Sequence, residues 1–197
     1  MVHRSLVIFA VAALFISAYG ATPFAVDTAH SNIGFSVPIA GGLAQVSGKF
    51  ADFKVDLNFD ETDITKSTVE TTIKASSIDT GIERRDAHLR NPDFFDAEKF
   101  PEIKFKSNSI AKKGKGMTIT GDFTMHGVTK EITFPFSMSG NCYDKKAQKA
   151  TPPCGFNATL FLDRRDYGVS YAQKNNAEFI GNNVQVNLNL LAIAPRK

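Results

Sequence analysis

Phe53-Lys54-Val55-Asp56-Leu57-Asn58-Phe59 alternates apolar and polar side chains without a break. A period of two belongs to a β-strand with one face buried and the other in water. Upstream, Val46, Gly48 and Phe50 keep the same alternation, but the phase slips before Phe53, as a bulge or sharp bend would make it. Ile33, Phe35 and Val37 form an earlier segment that Pro38 ends. Downstream the pattern returns at Val69, Thr71, Ile73 and Ala75, then at Ile103 and Phe105, then at Met117, Ile119, Gly121, Phe123 and Met125. Ile132, Phe134, Phe136 and Met138 follow, with Pro135 marking a bulge or a weakly paired seam. Phe156, Ala158, Leu160 and Leu162 make a further strand, and Val184, Val186, Leu188, Leu190 and Ala192 close the chain. These segments predict eight strands.

One interior stretch reads as helical. Thr80-Gly81-Ile82-Glu83 has capping-box spacing, and the helix is predicted to run through Leu89 and stop before Pro92. Eight alternating strands with a single short helix over one end predict an all-β protein, an eight-stranded antiparallel barrel. Closure removes sheet edges, and at eight strands the interior is either filled or holds one small ligand. The intervening residues, among them Lys54, Asp56, Glu70, Lys74, Lys104 and Asp122, are solvent-facing types. A transmembrane barrel would need aromatic girdles, which the eight short segments lack.

The 197 residues fit one domain, with 43% hydrophobic and 22% charged residues. Seventeen Phe, four Tyr and no Trp make Phe the main large ring of the interior. The formal charge of +3 is spread without a basic run, which argues against a nucleic-acid partner. His3 and Arg4, the apolar stretch Leu6 to Ile16 and the small-residue site Ala18-Tyr19-Gly20 are signal-peptide anatomy. That stretch is too short for a membrane-spanning helix, which needs roughly 20 residues. Residues 1–20 are therefore expected to be removed, leaving a soluble, periplasmic or secreted domain over 21–197.

Cys142 and Cys154 flank a polar loop ending in Pro152-Pro153. In an oxidising compartment a disulfide is the expected state, with two free thiols or a metal pair as the alternatives. His30, His88 and His126 are far apart in sequence, and adjacent His30 and Ser31 would point to opposite faces of a strand, poor geometry for a base and its nucleophile. The expectation is a protein without catalytic residues, resident metal or cofactor. Arg84, Arg85, Asp86, His88 and Arg90 form the densest charged cluster. Arg85 and Asp86 would pin the helix to the barrel, or some of these donors would meet a phosphate or quinone oxygen at the barrel mouth.

Several blocks resemble the YceI-like family of exported, polyisoprenoid-binding proteins. They are Asp27-Thr28-Ala29-His30-Ser31-Asn32-Ile33-Gly34-Phe35, Val46-Ser47-Gly48-Lys49-Phe50, Arg85-Asp86-Ala87-His88-Leu89-Arg90-Asn91-Pro92 and Phe100-Pro101-Glu102-Ile103-Lys104-Phe105. Gly121-Asp122-Phe123-Thr124-Met125-His126-Gly127-Val128 and Arg165-Asp166-Tyr167-Gly168 complete the set in the family's order. The resemblance implies a lipocalin-like barrel whose apolar cavity holds the chain of an isoprenoid quinone, a polyprenyl phosphate or a similar amphiphile. Under it, Phe35, Val37, Ile73, Phe105, Ile119, Phe123, Phe134, Phe136, Phe156 and Leu160 are expected to converge on one elongated volume, with Arg84, Arg85 and His88 as head-group candidates. Transient membrane contact for loading and a homodimer are compatible with such a carrier. The alternatives are an enzyme acting on a bound lipid or quinone, and a stress-related binding module without lipid. Two departures from the family pattern, Pro38-Ile39-Ala40-Gly41-Gly42 and the Cys142 to Cys154 insertion, are both placed near a cavity mouth by this reading.

Overall fold

The structure is a computed structural model and describes residues 21–114, 116–140, 142 and 153–193. The signal-peptide reading of residues 1–20, and most of the loop between the cysteines, lie outside the described residues. Eleven strand segments form one antiparallel sheet: β1 (Thr22–Val26), β2 (Asn32–Ile39), β3 (Ala44–Phe50), β4 (Phe53–Phe59), β5 (Thr68–Lys74), β6 (Ile78–Asp79), β7 (Glu102–Lys113), β8 (Gly116–Met125), β9 (Val128–Gly140), β10 (Cys154–Asp163) and β11 (Asn183–Ile193). Among the described residues one α-helix, α1 (Glu83–Arg90), follows β6, with four short 3-10 turns elsewhere.

Register reduces eleven segments to eight strands. β1 pairs with β4 while β2 pairs with β3, so β1/β2 and β3/β4 are two bent strands lying side by side. β5 pairs with β4 and β6 with β3, which makes β5/β6 a third. Across this bend the Ala51 N–H donates to the Ser77 carbonyl at 3.0 Å and the Lys74 N–H to the Asp52 carbonyl at 3.0 Å, so pairing survives the expected slip between Phe50 and Phe53. β11 then bonds β10 on one side and both β1 and β2 on the other, which closes the barrel. β1, which the alternation did not reveal, supplies one half of that closure.

The corners are built by polar side chains that satisfy local backbone groups. Between β1 and β2, Asp27 accepts from the Ala29 N–H at 3.0 Å and binds His30 Nδ1 at 2.7 Å. Ser31 Oγ donates to the Asp27 carbonyl at 2.6 Å and accepts from the Leu191 N–H at 2.9 Å, fastening the corner to β11. The His30 hydrogen bond holds the Asp27 carboxyl below its ordinary range. His126 and Gly127 both have positive φ, 52° and 75°, as the tight turn joining β8 to β9 requires. α1 forms where the sequence predicts it, but the capping box does not. Its N-cap is Ile82 without a side-chain bond, Glu83 instead pairs with Arg90, and the Thr80 N–H and hydroxyl both donate to the buried carboxylate of Asp86.

Pairing of β9 with β10 runs from Gly140↔Cys154 to Ala158↔Phe136 and stops there. Pro135, which has no N–H to give, is the next residue of β9, so the seam falls where the sequence predicts it. Pairing of β9 with β8 passes Pro135 without a shift.

Two apolar clusters fill the two ends. One gathers Phe24, Phe59, Ile64, Ile110, Ile119 and Phe134 with Cys142 and Cys154, and the other gathers Ile33, Phe50, Ile73, Ile78, Phe94, Ile103 and Tyr167 beneath α1. Cys142 and Cys154 are joined in a disulfide with Cα atoms 5.3 Å apart, and Cys154 is fully buried. The two cysteines therefore sit at the end of the barrel opposite α1 and belong to the core. Replacing both with Ala is expected to leave the fold intact and cost about 3 kcal/mol in a urea titration, the loop-closure contribution for a loop of this size. A much smaller loss would show that the β9–β10 pairing and the surrounding core hold this end without the cross-link.

Candidate ligand-binding cavity

Inside the barrel lies a cavity of about 490 Å³, within the range of small-molecule sites. Its walls are the inward phase of the strands. Seven of the ten expected residues line it: Phe35, Val37, Ile73, Phe105, Phe123, Phe134 and Leu160. Ile119, Phe136 and Phe156 instead line a second cavity of about 90 Å³ toward the disulfide end. The inward small residues do not all leave open space. A Cβ on Gly48 would come 2.7 Å from the Phe35 ring, and one on Gly121 would come 2.6 Å from the Phe105 ring, so neighbouring Phe side chains already occupy that room.

The polar lining gathers at the α1 end. Arg85, His88 and Leu89 share one face of the helix by their spacing and line the cavity, whereas Arg84 is exposed and does not. Arg85 donates from Nε to the Thr80 hydroxyl at 2.7 Å and from Nη2 to the Thr80 carbonyl at 2.8 Å. Arg85 thus pins the start of α1 while presenting the rest of its guanidinium at the cavity wall. His88 Nε2 lies 2.9 Å from Asp93 Oδ2, and its ring meets Phe94 and Tyr171 edge-on at 5.0 and 5.1 Å.

The segment 169–182 completes this end and was not singled out in the sequence. Val169, Tyr171, Gln173, Phe179 and Ile180 all line the cavity. Arg164 anchors the segment: 6% exposed, it donates to the carbonyls of Val169, Ile180 and Gly181 at 2.8, 3.2 and 3.1 Å. Burial pushes its pKa below the usual arginine range. The adjacent Arg165 binds Asp163 through two nitrogens, at 3.0 and 2.6 Å, and brings the Asp163 carboxyl down to about 2. The Arg165-Asp166-Tyr167-Gly168 block is thus a corner, closed by Gly168 at φ 75°.

The donors converge on one end of an apolar chamber. That arrangement suits an amphiphile, with its chain in the barrel and its polar head at α1 and Tyr171. Among the described residues no cluster of His, Cys, Asp and Glu could hold a metal ion, and no helix is long and apolar enough to cross a membrane.

Comparison with known proteins agrees with this geometry. A UPF0312 protein of Vibrio parahaemolyticus is 36% identical over 152 residues, covering 76% of this chain and 78% of its own. A UPF0312 protein of Shewanella denitrificans is 35% identical over 156 residues, 78% of this chain and 80% of its own. One from Photorhabdus laumondii is 39% identical over 115 residues, 58% of this chain and 59% of its own. The crystal structure of Burkholderia cenocepacia BcnA superposes with a TM-score of 0.74 at 23% identity, over 85% of this chain and 99% of that one. A polyisoprenoid-binding domain from Saccharophagus degradans, implicated in plant cell wall breakdown, superposes with a TM-score of 0.66 at 15% identity, over 89% of this chain and 99% of that one. The model of the YceI-like domain matches residues 24–192, from β1 through β11, and the chain belongs to that family.

Proposed function

We propose that this protein is a soluble, exported carrier that holds a long-chain isoprenoid lipid, of the isoprenoid quinone or polyprenyl phosphate type, without a chemical step. The observation that carries the reading is the apolar chamber of about 490 Å³ whose polar lining side chains, Thr71 apart, lie at the α1 end. The polyisoprenoid-binding domain among its structural neighbours supports the same ligand class. Arg85 and His88 would meet the head group inside the cavity, and Arg84, on the outer side of α1, would meet it only outside. Burying a hydrocarbon chain contributes about 0.8 kcal/mol per methylene relative to water. The competing site is a membrane in which the chain is already dry, so net transfer is close to balanced and the ligand can be both loaded, through transient membrane contact, and released.

Native mass spectrometry of the protein purified from the exported fraction of its own host tests the proposal. One co-purifying hydrophobic ligand, released by organic solvent and bearing an isoprenoid fragmentation pattern, is the expected result. An empty protein that turns over a lipid ester would replace the carrier with an enzyme.

A further inference from the structure

The two cavities share a wall. Thr71, Phe105, Phe134, Leu188 and Leu190 line both, and the two rings are its bulkiest part. Phe105 on β7 and Phe134 on β9 lie on either side of β8, with ring centroids 5.5 Å apart and planes tilted by 54°. β8 carries Gly121 in its inward phase, and a Cβ there would stand 2.6 and 2.8 Å from Cζ and Cε2 of Phe105. The glycine thus provides the bed on which the Phe105 ring lies as it crosses β8 toward Phe134. Behind the pair, Ile119, Phe136 and Phe156 border a chamber of about 90 Å³ lined almost wholly by apolar groups. Such a chamber is a poor site for water and a good one for hydrocarbon.

We propose that the Phe105–Phe134 pair is the floor of the binding cavity and sets the length of isoprenoid chain the protein accepts. This rests on the lipid-carrier reading. A chain that ends at the two rings fills the larger chamber without disturbing them. A longer chain must turn at least one ring aside to enter the smaller chamber, and it loses the ring contact in doing so. Chain-length preference is then set by two side chains at the boundary between the two core clusters, far from the head-group end.

The test uses delipidated wild-type protein and the variants Phe105→Ala, Phe134→Ala, Phe105→Leu and Phe134→Leu. Each is incubated with an equimolar mixture of a short isoprenoid alcohol, geranylgeraniol, and a long one, solanesol, and the bound ratio is read by native mass spectrometry. Removing either ring merges the chambers, and the ratio is expected to move toward solanesol by about tenfold, the factor that burying roughly two more methylene groups produces. The Leu variants keep most of the core volume and are expected to shift the ratio in the same direction by less, which preserves the test where an Ala variant fails to fold by circular dichroism. Phe35→Leu, at the α1 end, is expected to weaken both alcohols alike. An unchanged ratio in the folded floor variants, with wild type still binding both alcohols, overturns the floor and leaves the carrier standing. Wild-type protein that takes up neither alcohol overturns both.

Discussion

Replacing Arg164 with Met is expected to lower the unfolding free energy by about 2 to 4 kcal/mol, and the melting temperature by about 10 °C. The side chain is buried and donates to three main-chain carbonyls, those of Val169, Ile180 and Gly181. Met fills much of the same volume but donates nothing, and each buried carbonyl left without a donor costs about 1 to 3 kcal/mol. Relief of the buried charge offsets part of that loss. The effect concentrates on residues 169–182, which reach the barrel mainly through Arg164 and β2. The Arg164 N–H donates to the Asn182 carbonyl at 2.9 Å, and the Gly181 N–H donates to the Pro38 carbonyl at 2.8 Å. Because Tyr171, Gln173, Phe179 and Ile180 line the cavity, ligand retention should fall together with stability. Arg164→Lys separates charge from geometry: one ammonium cannot reproduce a fork serving three carbonyls, so only part of the loss should be recovered. A loss below about 1 kcal/mol for the Met variant would mean that water already serves these carbonyls.

Those three bonds also show what a sequence pattern conveys and what it does not. Alternation predicts all eight barrel strands, because a period of two holds wherever one face is buried, and it registers the slip between Phe50 and Phe53 that becomes the β3/β4 bend. β1 escaped because Thr22-Pro23-Phe24-Ala25-Val26 has one fully inward ring, Phe24, beside a proline. The capping-box spacing at Thr80 is genuine, yet Asp86, one helical turn further, is a buried carboxylate and takes both Thr80 donors. Segment 169–182 has no period to detect, since it is held by main-chain bonds to Arg164 and Pro38. Parts of the motifs fall on corners, Asp27 to Ser31 between β1 and β2, His126-Gly127 in the β8–β9 turn and Arg165 to Gly168 after β10, while Val46 to Phe50, Glu102 to Phe105 and Gly121 to Met125 lie on β3, β7 and β8 and Arg85 to Arg90 on α1. The cavity wall tolerates any apolar residue that fits, so its membership could be predicted only by phase, which puts all ten expected residues on one volume and cannot tell the chamber that Phe35 and Leu160 line from the one bordered by Ile119, Phe136 and Phe156.

That division of the interior sets the expected behaviour of two tryptophan substitutions. Leu160 on β10 lines the larger cavity, as does Phe123, whose ring is held edge-on against Tyr167 at 5.2 Å. Leu160→Trp should therefore project its indole into the chamber, leave the β-sheet circular dichroism and the cooperative melt close to wild type, and cut occupancy by an isoprenoid lipid by at least about tenfold, the loss expected when roughly two buried methylenes are displaced. Phe59→Trp supplies the contrast. Phe59 is 1% exposed, packed against Phe24 at 5.1 Å and Phe156 at 5.9 Å, and borders only the smaller cavity of about 90 Å³, so added bulk there has far less space. Overpacking should cost about 1 to 3 kcal/mol while the folded fraction still binds lipid. Loss of ligand without loss of stability at 160, and loss of stability without loss of ligand at 59, together require that the lipid occupies the larger chamber beside Leu160 and not the smaller one beside Phe59. If Leu160→Trp instead destabilises as Phe59→Trp does and keeps its lipid, the chain does not run past β10, and the wall formed by β2, β3 and α1 becomes its only path.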